Sequence, residues 1–206
     1  IRLVGSEMCI RDSIRRAGIT DITIISNQFI GQIAKHVGSG FPNEKIHYVL
    51  EEEPLGVAEA LNLARPHNEN CRLLIYFSDN ITTIELQEYV SDFVNHEKNP
   101  GCLLLSRDEE NPQAFGVAVL DADGKIIDIV EKPKQPPSNI AIGGIYLYDE
   151  QFWTLVDECN TEHSGNFSIS DVNRKYIQKN QVELLNISQI KKVIDEELKK
   201  FFKPEF

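Results

Sequence analysis

No run of apolar residues in this 206-residue chain approaches the roughly 18 that a membrane-spanning helix requires. Basic tracts are missing too: 21 Lys and Arg stand against 32 Asp and Glu, a formal charge of −11, which argues against a nucleic-acid polymer as partner. A small anion remains compatible with that charge where a divalent metal assists. Cysteine is sparse and dispersed. Cys9, Cys71, Cys102 and Cys159 form no C-x-x-C pair, and His36, His47, His67, His96 and His163 fall at no metal-ligand spacing. No disulfide framework is indicated, and a reducing cytoplasm suits this usage. Cys71 and Cys102 flank apolar runs and read as core thiols. With 41% hydrophobic and 26% charged residues, the chain has the composition of one soluble globular domain large enough to bury a core.

The ends differ in texture from the middle. Residues 1–13, IRLVGSEMCIRDS, lack an initiator Met and a signal-peptide layout, and VGSEMCIRDS resembles translated adapter sequence. The expectation is a non-native leader at 1–13, a domain over 14–187 and a tail of separate origin over 188–206, with Gln189–Phe202 reading as a charged amphipathic helix.

Within 14–187 the pattern alternates. A helix ends at Gly18. Strands are expected at Asp21–Ser26, Ile46–Leu50, Arg72–Phe77 and Cys102–Ser106, and helices at Gln28–Val37, Val57–Ala64 and Ile84–Val94. The apolar run Arg72–Phe77, closed by Ser78-Asp79-Asn80, reads as a buried parallel strand. Beyond Arg107, Phe115–Leu120 and Lys125–Val130 flank Asp121-Ala122-Asp123-Gly124 as a hairpin. A strand at Gly144–Tyr148, a capping box Ser168–Asp171 opening a helix to Ile177, and a strand at Val182–Ile187 complete the series. The fold class is α/β: a Rossmann-like, mostly parallel sheet with helices on both faces and an inserted β-hairpin.

Four segments fall where such a sheet places ligands, beyond the carboxyl ends of its strands. In Leu50-Glu51-Glu52-Glu53-Pro54-Leu55-Gly56, Gly56 opens a helix whose N-terminus favours negative charge; the alternative is a plain acidic βα turn. Asp79 follows a buried strand and is placed either to hold Mg²⁺ or to cap the next helix. Gly116, inside a strand, signals close backbone approach or a bulge. Glu131 and Lys132, in Val130-Glu131-Lys132-Pro133, could accept from sugar hydroxyls and neutralise a phosphate, or form an exposed turn.

The order and spacing of these pieces resemble the sugar-nucleotide pyrophosphorylases, a nucleotidyltransferase family, and most closely the glucose-1-phosphate thymidylyltransferases. The matching stretches are Arg16-Ala17-Gly18-Ile19, Glu53-Pro54-Leu55-Gly56-Val57-Ala58, Ser78-Asp79-Asn80, Phe115-Gly116-Val117 and Ile129-Val130-Glu131-Lys132-Pro133-Lys134. Gly143-Gly144-Ile145-Tyr146-Leu147-Tyr148-Asp149 and Ile169-Ser170-Asp171-Val172-Asn173 close the series. The resemblance implies an enzyme joining a sugar 1-phosphate, here glucose 1-phosphate, to a nucleoside triphosphate, here dTTP, with release of pyrophosphate. The sugar phosphate oxygen would attack the α-phosphorus in line, so catalysis is positioning and charge stabilisation.

By the same resemblance Asp79 is a Mg²⁺ ligand and, with Lys132, a catalytic residue. Glu51 and Gly56 face the nucleotide base, and Gly116, Glu131, Lys132 and Gly144 bind the sugar phosphate. A homo-oligomer is compatible with the family. Glu51 stands where the family usually has Gln, which leaves base choice among dTTP, UTP, CTP and GTP open. Ser78 replaces a Gly, and Ser168 stands where an acidic residue is common. The family's opening strand with its G-G-x-G-T-R-L loop and its closing W-x-D-x-G-T motif have no counterpart in these 206 residues. The expectation is therefore a fragment with its first strand missing, an exposed strand edge, poor solubility and little or no turnover. The alternative is a non-catalytic domain that binds sugar phosphate or nucleotide.

Overall fold

The computed structural model describes residues 6–53, 56–82, 84–95, 100–187 and 190–192. The first helix, α1 (Ser6–Arg16), runs without a break across residue 13. Arg11 within it donates to the Val37 carbonyl at 2.7 Å and pairs with the buried Glu44 at 3.5 Å. The DITIIS run forms β1 (Asp21–Ser26), because the consecutive β-branched residues Ile22–Ile25 suit a half-buried pleat. After α2 (Ile30–Val37), β2 (Lys45–Leu50) pairs with β1 in parallel, from Asp21 opposite Lys45 to Ser26 opposite Leu50. Parallel pairing requires such a crossover.

Then α3 (Val57–Asn68) leads into β3 (Leu73–Tyr76) and the short β4 (Asn80–Thr82). Next come α4 (Leu86–Asn95), β5 (Cys102–Asp108), and a hairpin of β6 (Gly116–Leu120) with β7 (Ile126–Glu131). β8 (Ile140–Tyr148), α5 (Phe152–Glu162), α6 (Ile169–Gln178), β9 (Val182–Asn186) and β10 (Ile190–Lys192) follow.

The main sheet has the order β7-β6-β8-β5-β9, with β3 added to β8. β8 is its keel: eight of its nine residues are buried. Alternation sends Cys102, Leu104, Tyr146 and Tyr148 to one face, against Ala58 and Leu61 of α3, Phe152 and Leu155 of α5, and Val172 and Tyr176 of α6. Leu103, Leu105, Ile145 and Leu147 go to the other face, against Ala17, Leu86 and Phe93. Each such aliphatic side chain stabilises by about 1.5–3 kcal/mol on burial, so the sheet is fixed from both sides.

Three features differ from the sequence expectation. The run read as a parallel strand, β3, pairs antiparallel with β8. An unbroken apolar run reports burial on two faces, and here a reversed strand supplies that burial as well as a parallel one would. Parallel ladders remain between β1 and β2 and between β5 and β9, within an α/β fold covered by helices on both faces. Second, α5 was not among the expected elements, although Phe152, Trp153, Leu155, Val156 and Cys159 form one buried stripe. Third, Cys71 is exposed rather than a core thiol, because its chain segment turns outward before β3, whereas Cys102 is buried. Within the expected terminal helix, residues 190–192 instead form β10, antiparallel to β4; residues 193–202 lie outside the described residues.

Among the described residues the β1–β2 pair and the main sheet share no ladder, which leaves a seam between them. Cys71, just before β3, feels both Asp21 at the start of β1 and Glu150 just after β8; after burial, these carboxylates raise its thiol pKa. The starts of β1 and β3 therefore share one end of the molecule. Among the described residues no ladder joins β1 to β3, and the residues of β1 are only half-buried or exposed. The seam is bridged at its edge by Asn68, which donates to Thr23 Oγ1 at 2.9 Å while its carbonyl accepts from Trp153 Nε1 at 2.7 Å.

Candidate active site

At the end of β3 the chain turns sharply through Phe77-Ser78-Asp79-Asn80. The turn is held by Asn80, which is only 3% exposed. Its Oδ1 accepts from the Gly144 N–H at 3.1 Å, and its Nδ2 donates to the Phe77 carbonyl at 3.2 Å and to Asp79 Oδ1 at 2.7 Å. The Phe77 N–H in turn donates to the Gly144 carbonyl at 2.8 Å. A buried amide therefore fixes one oxygen of the half-buried Asp79 carboxylate. Gly144 makes this possible. A Cβ there would overlap the Asn80 amide nitrogen and lie 3.0 Å from both Asn80 Cγ and Phe77 Cβ. Asp79 does not cap a helix: β4 follows it directly, and α4 begins only at Leu86.

A second cluster forms where the hairpin meets α6. Gly116 sits opposite Glu131 in the β6–β7 ladder. The Ser170 hydroxyl, in the first turn of α6, donates to Glu131 Oε2 at 2.8 Å. A Cβ on Gly116 would come within 3.2 Å of that carboxylate oxygen and 3.3 Å of Ser170 Oγ, so glycine keeps the close approach open. The α6 end is locked by the capping box: Asp171 accepts from the Ser168 N–H at 2.7 Å and the Ser168 hydroxyl at 2.8 Å. Burial pushes the Asp171 carboxyl up. The Ser168 hydrogen bonds and the Arg174 and His163 charges outweigh burial and leave it below its ordinary value.

Tyr146 of β8 connects the two clusters. Its ring packs edge-on against Phe77 with centroids 5.7 Å apart. Burial raises its hydroxyl pKa, and Glu131, Cys102 and Asp79 raise it further, in that order. The tyrosine therefore stays neutral across the physiological range.

The other expected site residues sit apart from this pair. Lys132 follows Glu131 with a left-handed backbone (φ +44°), its N–H on the Phe115 carbonyl at 2.9 Å and its side chain exposed. Gly56 caps α3 at φ +105°, a conformation that favours glycine, and Glu51 continues the β1–β2 ladder through its N–H to the Ser26 carbonyl at 2.9 Å. Both belong to the sheet across the seam; Pro54 and Leu55 between them lie outside the described residues. Sequence reasoning gave no site role to Asn80, Tyr146 or Ser170. Each lay in a matched stretch, but their contacts span 64 residues for Asn80 with Gly144 and 39 for Ser170 with Glu131.

A layered α/β sheet that gathers an Asp-Asn turn, a second carboxylate and close-approach glycines beside its strand ends belongs to the ligand-binding α/β proteins. Comparison with known proteins narrows this class. The nucleotidyl transferase family description matches residues 7–191, and the chain belongs to that family. A low-salt glycan biosynthesis nucleotidyltransferase of Haloferax volcanii is 28% identical over 162 residues, covering 78% of this chain and 45% of the relative. A glucose-1-phosphate thymidylyltransferase of Streptomyces antibioticus is 31% identical over 160 residues, covering 77% of this chain and 45% of the relative. This chain thus spans about half the length of these curated relatives, 45% in each case. A crystal structure described as a glucose-1-phosphate thymidylyltransferase from Bacillus anthracis, in complex with sucrose, superposes with a TM-score of 0.81 at 30% identity. It covers 90% of this chain and 76% of that one. The family is one of sugar-phosphate nucleotidyltransferases. Among the described residues, no helix is long and apolar enough to cross a membrane.

Proposed function

We propose that this chain carries the sugar-phosphate side of a glucose-1-phosphate thymidylyltransferase site, with glucose 1-phosphate and dTTP as substrates. The observation that supports this most is the Glu131 carboxylate opposite Gly116, held by the Ser170 hydroxyl of α6, with Asp79 oriented by Asn80 within its own turn. Glu131 accepts hydrogen bonds from sugar hydroxyls, and the Gly116 and Gly144 backbones line the sugar without side chains in the way. Lys132 neutralises the sugar phosphate, and Gly56 and Glu51 face the base across the seam.

The residues present fit a Mg²⁺ ion of a particular kind. Among the described residues no group of three or more His, Cys, Asp or Glu could form an all-protein cage. Asp79 offers a hard oxygen donor whose orientation the Asn80 amide fixes, and Mg²⁺ commonly takes one or two carboxylates together with substrate phosphates. Asp79 and the nucleotide phosphates would hold it, and it would neutralise charge on the phosphates.

Calorimetric titration tests this reading. The chain is expected to bind glucose 1-phosphate, and Glu131→Gln is expected to weaken that binding by roughly 10- to 100-fold, since a hydrogen bond to a charged acceptor is worth about 1.5–3 kcal/mol. Undiminished binding by Glu131→Gln contradicts the assignment. With dTTP and Mg²⁺ added, little pyrophosphate release is expected; ready turnover would refute that expectation.

A further inference from the structure

We infer that Ser170 is a positioning residue for sugar recognition: its hydroxyl holds one oxygen of Glu131 so that the other is presented to the ligand. The inference rests on the function proposed above and adds the residue that makes Glu131 selective. Three observations carry it. Ser170 is 4% exposed, yet its hydroxyl is spent on a carboxylate 39 residues away, at 2.8 Å, rather than on its own helix. Glu131 is exposed overall, so the oxygen that Ser170 does not hold remains open to a ligand hydroxyl. Gly116 completes the arrangement, since any side chain there would press on both members of the pair, 3.2 Å from Glu131 Oε2 and 3.3 Å from Ser170 Oγ.

The mounting is rigid. Asp171, the next residue, is fixed by the capping box, and Arg174 one turn on donates through Nε to the Ile129 carbonyl at 2.9 Å, two residues before Glu131. α6 is thereby tied to β7 beside the carboxylate, so Ser170 and Glu131 move as one body. A free glutamate samples several rotamers and must be ordered on binding. A held glutamate has already lost that freedom, and the ligand gains the difference. The same first turn of α6 also favours a negative charge beside it.

Glucose 1-phosphate and inorganic phosphate are titrated separately into the parent chain and into Ser170→Ala, Ser170→Cys and Ser170→Thr. Thermal melting of each variant reports its folding. Removing a charge-assisted hydrogen bond is expected to weaken glucose 1-phosphate binding by roughly 5- to 20-fold in Ser170→Ala. Ser170→Cys, nearly isosteric but a poor donor, is expected to lose a comparable factor, while Ser170→Thr stays within about threefold of the parent. Inorganic phosphate, which has no sugar hydroxyls, is expected to bind all four equally. Parent-like glucose 1-phosphate affinity in Ser170→Ala or Ser170→Cys overturns the inference, as does a parallel loss of both ligands. A parent chain that binds no glucose 1-phosphate takes down the proposed function and this inference together. A parent that binds while Ser170→Ala is unaffected removes the Ser170 step alone.

Discussion

Replacing Gly144 by Ala perturbs the point where the Asp79 turn is pinned to β8, and its cost follows from the contacts there. The new Cβ overlaps the Asn80 amide nitrogen and lies 3.0 Å from Phe77 Cβ, which sits on a short turn with little room to retreat. If the backbone yields instead, overpacking of this kind costs about 1–3 kcal/mol. If Asn80 swings away, it gives up the bonds to the Gly144 N–H, the Phe77 carbonyl and Asp79 Oδ1. At about 1 kcal/mol each, these also total roughly 3 kcal/mol. Either route removes a sizeable share of the roughly 5–15 kcal/mol that stabilises a folded domain. At about 2–4 °C per kcal/mol for a chain of this size, Gly144→Ala is expected to melt about 2–12 °C below the parent.

Circular dichroism melts and urea midpoints measure this, with Gly31→Ala as the control. Gly31 lies in α2 with open space where its Cβ would go, so alanine is expected to be neutral or to stabilise by up to about 1 kcal/mol. Asn80→Ala removes the worst overlap and leaves the Phe77 contact, so the double variant Gly144→Ala/Asn80→Ala is expected to lose less than the sum of the two single variants. Gly144→Ala melting within about 2 °C of the parent, or strict additivity in the double variant, would show that Asn80 is not pinned against Gly144.

The remaining expectations concern pH and the thiols. Asp171 has its carboxyl lowered in the fold, so its contribution is present above the ordinary carboxylate range and is lost as pH falls through the folded value. Asp171→Asn is expected to cost about 1 kcal/mol at neutral pH and to flatten the acid limb of urea midpoints; an unchanged acid limb would count against the cap. Burial pushes the Cys159 thiol up to about 11 from an ordinary 9.0, and raises Cys102 as well. The fold therefore keeps protons that the unfolded chain releases, and stability is expected to fall between pH 9.0 and about 11, with Cys159→Ala softening the fall. Urea midpoints that hold or rise over that interval would contradict this sign. In native protein at neutral pH, iodoacetamide is expected to modify exposed Cys71 while buried Cys102 and Cys159 react only on unfolding; peptide mapping distinguishes them.

Much of the local structure was legible from the chain. The strand at Asp21–Ser26 has the expected bounds, and the Ser168–Asp171 box caps α6 as its spacing requires. The Asp121–Gly124 turn also closes its hairpin, with the Gly124 N–H on the Asp121 carbonyl at 3.1 Å. These features depend on neighbours within a few residues. The direction of β3 was not legible, because both orientations bury the same apolar run. Nor was the outward turn at Cys71, since flanking apolar residues predict burial of a segment and not of each member.

The sequence by itself determined most of the elements, though not α5 or β10, the α/β class and, through ordered motifs, the family. Tertiary structure alone decided what holds the candidate site. Asn80 reaches Gly144 across 64 residues, and Ser170 reaches Glu131 across 39. A hydrogen bond of about 3 Å between segments so far apart is set by how β8 and α6 pack, and no periodicity along the chain encodes that distance. The same holds for the seam. Each strand beside it satisfies its own local pattern, and only the absence of a ladder between β1 and β3 among the described residues shows that the two sheets do not join.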